Sequence, residues 1–144
     1  YSPPFVNNIP GLDAGIMIPQ VTASGHASEN KTLAHPASVD SLTTAGGQEY
    51  LVSMAPWEGQ KLQSIQKNLS TILAIELIVA GEANNLASST MQAGRGTNLV
   101  ITLLEEYCAY QTGDRPLASE INSVANCIQS GLLLKTVSQS IHLE

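Results

Sequence analysis

The side chains with the most chemistry in this chain are crowded into one stretch. Ser28-Glu29-Asn30-Lys31-Thr32-Leu33-Ala34-His35-Pro36-Ala37-Ser38-Val39-Asp40-Ser41 is followed closely by Gln48-Glu49 and Val52-Ser53-Met54. Carboxylates, an ammonium and an imidazole in so short a span form a candidate site. His35 has the residue type for proton transfer near neutral pH. Lys31 and Asp40 read as an ion-pairing or loop-bracing set.

Such groups need elements to hold them. Residues 1–15 contain Pro3, Pro4, Pro10, Gly11 and Gly15 and read as loop. Residues 16–35 read as a helix, with Pro19 early, where a helix tolerates proline best. Pro36 ends it. Residues 36–48, rich in Ser, Thr and Gly, form the site loop. Residues 54–83 read as a long helix, because Trp57, Leu62, Ile65, Leu69, Ile72 and Leu73 follow helical spacing. From Ile72 onward it is apolar on every face except Glu76, so it is expected to be buried on all sides. Glu76 would then need a cationic or backbone partner in a subunit contact.

Residues 86–96 form a Ser/Gly-rich linker. A third helix is expected over 97–110, then a turn from Gln111, and a fourth helix over 117–139. In that last helix Ile121, Val124, Ala125, Ile128 and Leu132 share a face. No strand alternation is present. The expected class is all-α, a long-helix bundle, with residues 1–144 as a single segment.

The chain has 144 residues, of which 43% are hydrophobic and only 12% charged. About 25% charged is usual. So few surface charges imply that much of the surface is covered, in an oligomer or a larger protein. The net charge is −6 with six Lys and Arg in total. That cannot build a basic stripe, which argues against nucleic acid as a partner. No uncharged apolar run reaches the roughly 18–20 residues of a membrane span. Cys108 and Cys127 form neither a disulfide framework nor a metal site. They read as reduced thiols of a cytoplasmic protein.

The 28–41 run, with Gln48-Glu49 and Val52-Ser53-Met54, resembles the C-terminal part of the histidine ammonia-lyase family. So do Gly11-Leu12-Asp13-Ala14-Gly15-Ile16-Met17-Ile18, Gly94-Arg95-Gly96-Thr97 and Asp114-Arg115-Pro116-Leu117. The resemblance implies a C-terminal portion of a helical homotetramer whose sites combine three subunits. It implies removal of ammonia from L-histidine to give urocanate. The electrophile would be a methylidene-imidazolone made from an Ala-Ser-Gly tripeptide in an N-terminal part, so the cofactor is not expected in this chain. Without that part the chain is expected to be inactive.

Two positions carry over as site residues. Glu49 matches the family's active-site glutamate, as a catalytic and substrate-binding residue. Met17 matches the methionine beside the substrate ring. Both imply histidine: a carboxylate can accept an imidazole N–H and stabilise its positive charge. Tyr50-Leu51 replaces the usual Asp-His and leaves open a tyrosine or phenylalanine lyase, or an aminomutase. A non-catalytic helical assembly module is a third reading. Ala23-Ser24-Gly25 spells the precursor tripeptide but falls inside the predicted first helix, where cyclisation has no strained loop to drive it.

Overall fold

The computed structural model describes residues 6, 7, 9, 11–87, 93–110 and 113–141. Parts of the expected loop 1–15, the linker 86–96 and the turn at Gln111 lie outside these. Five helices follow one another: α1 Met17–Leu33, α2 Ala55–Leu86, α3 Arg95–Glu105, α4 Ala118–Gln129 and α5 Leu132–Ser138. Among the described residues there is no strand, only an isolated antiparallel bridge between Thr44 and Glu49. The all-α expectation holds.

α1 and α2 form an antiparallel hairpin. Pro19, Ala23, His26, Asn30 and Leu33 are the less exposed positions of α1. They recur every three or four residues and form one helical face, turned to α2. The contacts run in opposite senses along the two helices: Glu29 and Asn30 meet Asn68, and His35 meets Lys61. The core lies at the other end of α2. Ala74 and Ile78 pack there against Leu104 of α3, Cys108 just after it, and Val124 and Ala125 of α4. Gly81 is needed at this contact: a Cβ there would meet Tyr110, 2.7 Å from its Cζ.

Several expectations are corrected. The predicted helix over 117–139 is two helices. Gly131, at φ 74°, takes a left-handed conformation that breaks the ladder between α4 and α5. The third helix stops at Glu105 rather than 110. Its end carries Glu105 and Glu106, which oppose the negative pole of a helix C-terminus. α2 is not buried all round: Leu62, Leu69 and Leu73 are exposed, and so is Glu76. The buried carboxylate of α2 is Glu82 instead. By length and composition α2 is also apolar enough to cross a membrane. In this fold it is a packing helix, with Lys61, Asn68 and Glu82 buried in polar contacts that a lipid surface could not replace.

Candidate functional site

The loop that carries Glu49 is fixed at several levels. At its entrance the chain turns through His35, Pro36 and a 3-10 turn at Ala37–Val39. Two side chains from the first turns of α2 grip this bend. Glu58 accepts the Ala37 N–H, and Lys61 donates to the His35 carbonyl. Lys61 and Glu58 also pair at 3.6 Å. Lys61 is 6% exposed, and a lysine so buried requires such partners. The Ala37 N–H holds the Glu58 carboxyl below its ordinary range, with the Lys61 charge acting the same way against the effect of burial. Lys31 and Asp40, expected to do the bracing, form no ion pair among the described residues. His35 acts through its backbone carbonyl.

Further along, Ser41 Oγ accepts the Val52 N–H at 2.9 Å and closes the base of the loop. Inside it, Thr44 and Glu49 exchange backbone hydrogen bonds of 2.9 and 3.3 Å. The Thr44 hydroxyl donates to Glu49 Oε2 at 3.2 Å. The turn between them puts Ala45 at φ 52°, a left-handed conformation that costs a residue with a side chain roughly 1–2 kcal/mol. Glu49 is therefore an exposed carboxylate on a strained, internally tied loop. Among the described residues no cation pairs with it.

Met17 lies elsewhere. It is the first residue of α1 and about half exposed, at 46%. It edges a cavity of about 400 Å³ with Gln20, Ile72, Ile75, Glu76 and Val79. A larger cavity, about 530 Å³, lies beside it, between the approach to α1 and residues 113–122. Glu49 lines neither cavity. α1 separates Met17 from the start of the site loop by about 25 Å of helix. Neither of these two cavities holds both candidate residues.

Three groups were missed from the sequence. Arg115 bridges α2 and α4, pairing with Glu82 and, at 2.9 and 3.0 Å, with Glu120. The two carboxylates, Glu120 first, raise the guanidinium further above its ordinary range. Asp114 accepts the N–H groups of Ala14 and Gly15, each at 3.0 Å. The third is Tyr110, whose hydroxyl is buried without a hydrogen-bond partner among the described residues. Burial pushes the nearby Cys108 thiol up to about 11, so it stays protonated and packs as a small apolar group.

Ala23-Ser24-Gly25 sits in the middle of α1. Ser24 Oγ donates to the Gln20 carbonyl at 3.0 Å. In the helical ladder the Gly25 N–H is held by the carbonyl four residues back, so its nitrogen is not presented to the Ala23 carbonyl carbon it would have to attack. The tripeptide does not fit the precursor of the family's electrophile.

Residues 1–106 match the aromatic amino acid lyase family. The chain belongs to this family. Within the family it is similar to the histidine ammonia-lyase of Idiomarina loihiensis, 42% identical over 135 residues, covering 94% of this chain and 26% of that protein. The histidine ammonia-lyase of Natranaerobius thermophilus is 40% identical over 139 residues, covering 96% of this chain and 27% of that protein. The crystal structure of histidine ammonia-lyase from Trypanosoma cruzi superposes with a TM-score of 0.86 at 33% identity, over 96% of this chain and 27% of that one. The tyrosine aminomutase of Streptomyces globisporus, at 24% identity, shares the fold with a TM-score of 0.92, over 99% of this chain and 27% of its own. This lyase-family chain spans about a quarter of the length of the curated relatives it matches.

Proposed function

We propose that this chain forms part of an ammonia-lyase that converts L-histidine to urocanate and ammonia. One observation carries the reading: 42% and 40% identity to histidine ammonia-lyases across more than nine-tenths of the chain. In the proposed site Glu49 accepts an imidazole N–H and stabilises positive charge on the ring. The Thr44 hydroxyl leaves one carboxylate oxygen tied and fixes the direction of the other. Met17 packs against the ring from its place at the start of α1. The length of α1 between Met17 and the loop that carries Glu49 supports a site completed by neighbouring subunits of an oligomer. Ala23-Ser24-Gly25 does not fit the electrophile's precursor, so the electrophile would come from sequence other than this. The 144-residue chain alone would then be inactive.

The test is a chimera in which this chain replaces the matching quarter of the Idiomarina loihiensis enzyme. Urocanate formation is followed by its ultraviolet absorbance. The expected outcome is turnover of histidine in preference to tyrosine. Glu49→Gln should lower kcat/KM for histidine by about 10- to 100-fold, the effect of one charge-assisted hydrogen bond. A folded, oligomeric chimera that makes no urocanate, or that prefers tyrosine, overturns the reading.

A further inference from the structure

We infer that Asp114 is a positioning residue for Met17, holding the start of α1 in the geometry that presents Met17 to substrate. The inference rests on the proposed function only where it assigns Met17 a substrate; the clamp itself is structural. Its core is a contact between segments 100 residues apart. One carboxylate takes two consecutive backbone N–H groups, Oδ2 from Ala14 and Oδ1 from Gly15, both at 3.0 Å. Such charge-assisted bonds are short and strong. On the residue before, the side-chain amide of Asn7 donates to the Asp13 carbonyl at 3.0 Å. Asn7 is 9% exposed. Three successive residues, 13 to 15, are therefore held by polar contacts from two directions, immediately before Ile16 and Met17.

The side chain of Met17 cannot hold its own position. It is 46% exposed, and α1 has no side-chain cap at its N-terminus. The backbone clamp decides where the helix begins, and so where Met17 stands on the rim of its cavity. Asp114 is rigid enough for this. The next residue, Arg115, is locked between Glu82 and Glu120, and Pro116 fixes the backbone after it. The docking of α4 on α2 is already secured by Arg115. Asp114 is free to act on the α1 approach alone. Its negative charge also sits near the positive pole of α1.

The test has two arms. In the first, the 144-residue chain is labelled with ¹³C at the methionine methyls, and Asp114→Asn and Asp114→Ala are compared with the parent. Expected is a shifted and broadened Met17 resonance with the Met54 resonance unchanged. An unmoved Met17 resonance overturns the inference whatever the enzyme does. The second arm uses the chimera described above. Asp114→Ala should raise the KM for histidine by about tenfold, the equivalent of one charge-assisted hydrogen bond, with a smaller change in kcat. In a Met17→Ala background the same substitution should add nothing to KM, because both act through one contact. Multiplying effects would make Asp114 a general stabiliser and sink the proposal. Asp114→Asn keeps one acceptor oxygen and carries both arms if the alanine variant does not fold. A parent chimera inactive on histidine with a Met17 resonance that still responds would refute the proposed reaction and leave the clamp standing.

Discussion

The two halves of α2 are built on opposite plans. Between residues 74 and 82 its buried positions are Ala74, Ile75, Ile78 and Gly81, closed by the paired Glu82. In the first half the buried positions are Lys61, Asn68 and Ser70, while Trp57, Leu62 and Leu69 face outward. The first half is polar inside and apolar outside. Full burial of an Ile such as Ile78 is worth about 1.5–3 kcal/mol. A buried hydrogen bond nets about 1 kcal/mol. The C-terminal half thus supplies most of the stability. The N-terminal half supplies direction: its Glu58 and Lys61 grip backbone groups of the bend that leads to Glu49, and its Asn68 ties Glu29 and Asn30 of α1. The site loop hangs from the half that is precise rather than strong.

The largest effect should come where a charge enters the strong half. Arg115→Ala leaves Glu82 and Glu120, with side chains 9% and 10% exposed, without their shared cation. Removing one partner of a buried ion pair costs about 3–5 kcal/mol. Urea unfolding should show a fall of that size in the extrapolated stability, with the slope retained. Arg115→Lys should recover only part of it, since a point charge cannot fork to two carboxylates. Next comes the apolar core itself. Ile78→Ala, at a position 1% exposed, should cost about 3 kcal/mol through lost burial and the cavity left behind. Asn68→Ala, in the polar half, removes donors to Glu29 and Asn30 at 2.9 Å each and should cost about 1 kcal/mol. An Asn68 effect equal to that of Ile78 would erase the contrast between the halves.

This contrast explains what the sequence could and could not reveal. Helical spacing exposes the existence of α2, because its apolar residues recur at three and four. It does not say which face is covered. The run from Ile72 looks buried on every side, and Glu76, interrupting it, looks like the buried acid. Burial depends on where α1, α3 and α4 lie, so Glu76 is exposed and Glu82, six residues on, is paired with Arg115. The break at Gly131 was hidden because Ile128 and Leu132 keep helical spacing across it. Pro36 was a legible stop, since a proline restricts the residue before it. Lys31 and Asp40, a few residues to either side of His35, look like the braces of the bend, but that role falls to Glu58 and Lys61 from the next helix. The contact of Asp114 with Ala14 and Gly15 spans a separation no local pattern encodes. For Arg115 there was a signal: a lone cation just before a helix with Glu120 in its first turn.

A smaller effect should be present at neutral pH and fade on acidification. The folded state holds Glu58 below its ordinary value, with the Ala37 N–H as the main cause. A depressed carboxylate adds stability above its unfolded pKa, about 4.3. That contribution is lost as the pH falls from there through the lower folded value. Glu58→Gln should therefore lower stability slightly at neutral pH, flatten the acid limb below about pH 4.3, and match the parent once the carboxyl is protonated. The same variant should loosen the Ala37 amide, seen as faster hydrogen exchange there. An unchanged acid limb would mean that the Glu58 grip on the bend contributes nothing, and that the polar half of α2 is held by Lys61 and Asn68 alone.

The smallest effect tests the outward face. Leu69 and Leu73 are large apolar residues 48% and 38% exposed on the helix that elsewhere forms the core. If they serve only surfaces outside this chain, Leu69→Gln and Leu73→Gln should each change its stability by less than about 0.5 kcal/mol, as for an ordinary surface site. The midpoint of urea unfolding reads this directly. Three turns of one helix would then hold both the most and the least costly apolar residues to replace. A loss near that of Ile78→Ala would show that these side chains already pack within the chain, and that the apolar surplus of α2 belongs to its own core.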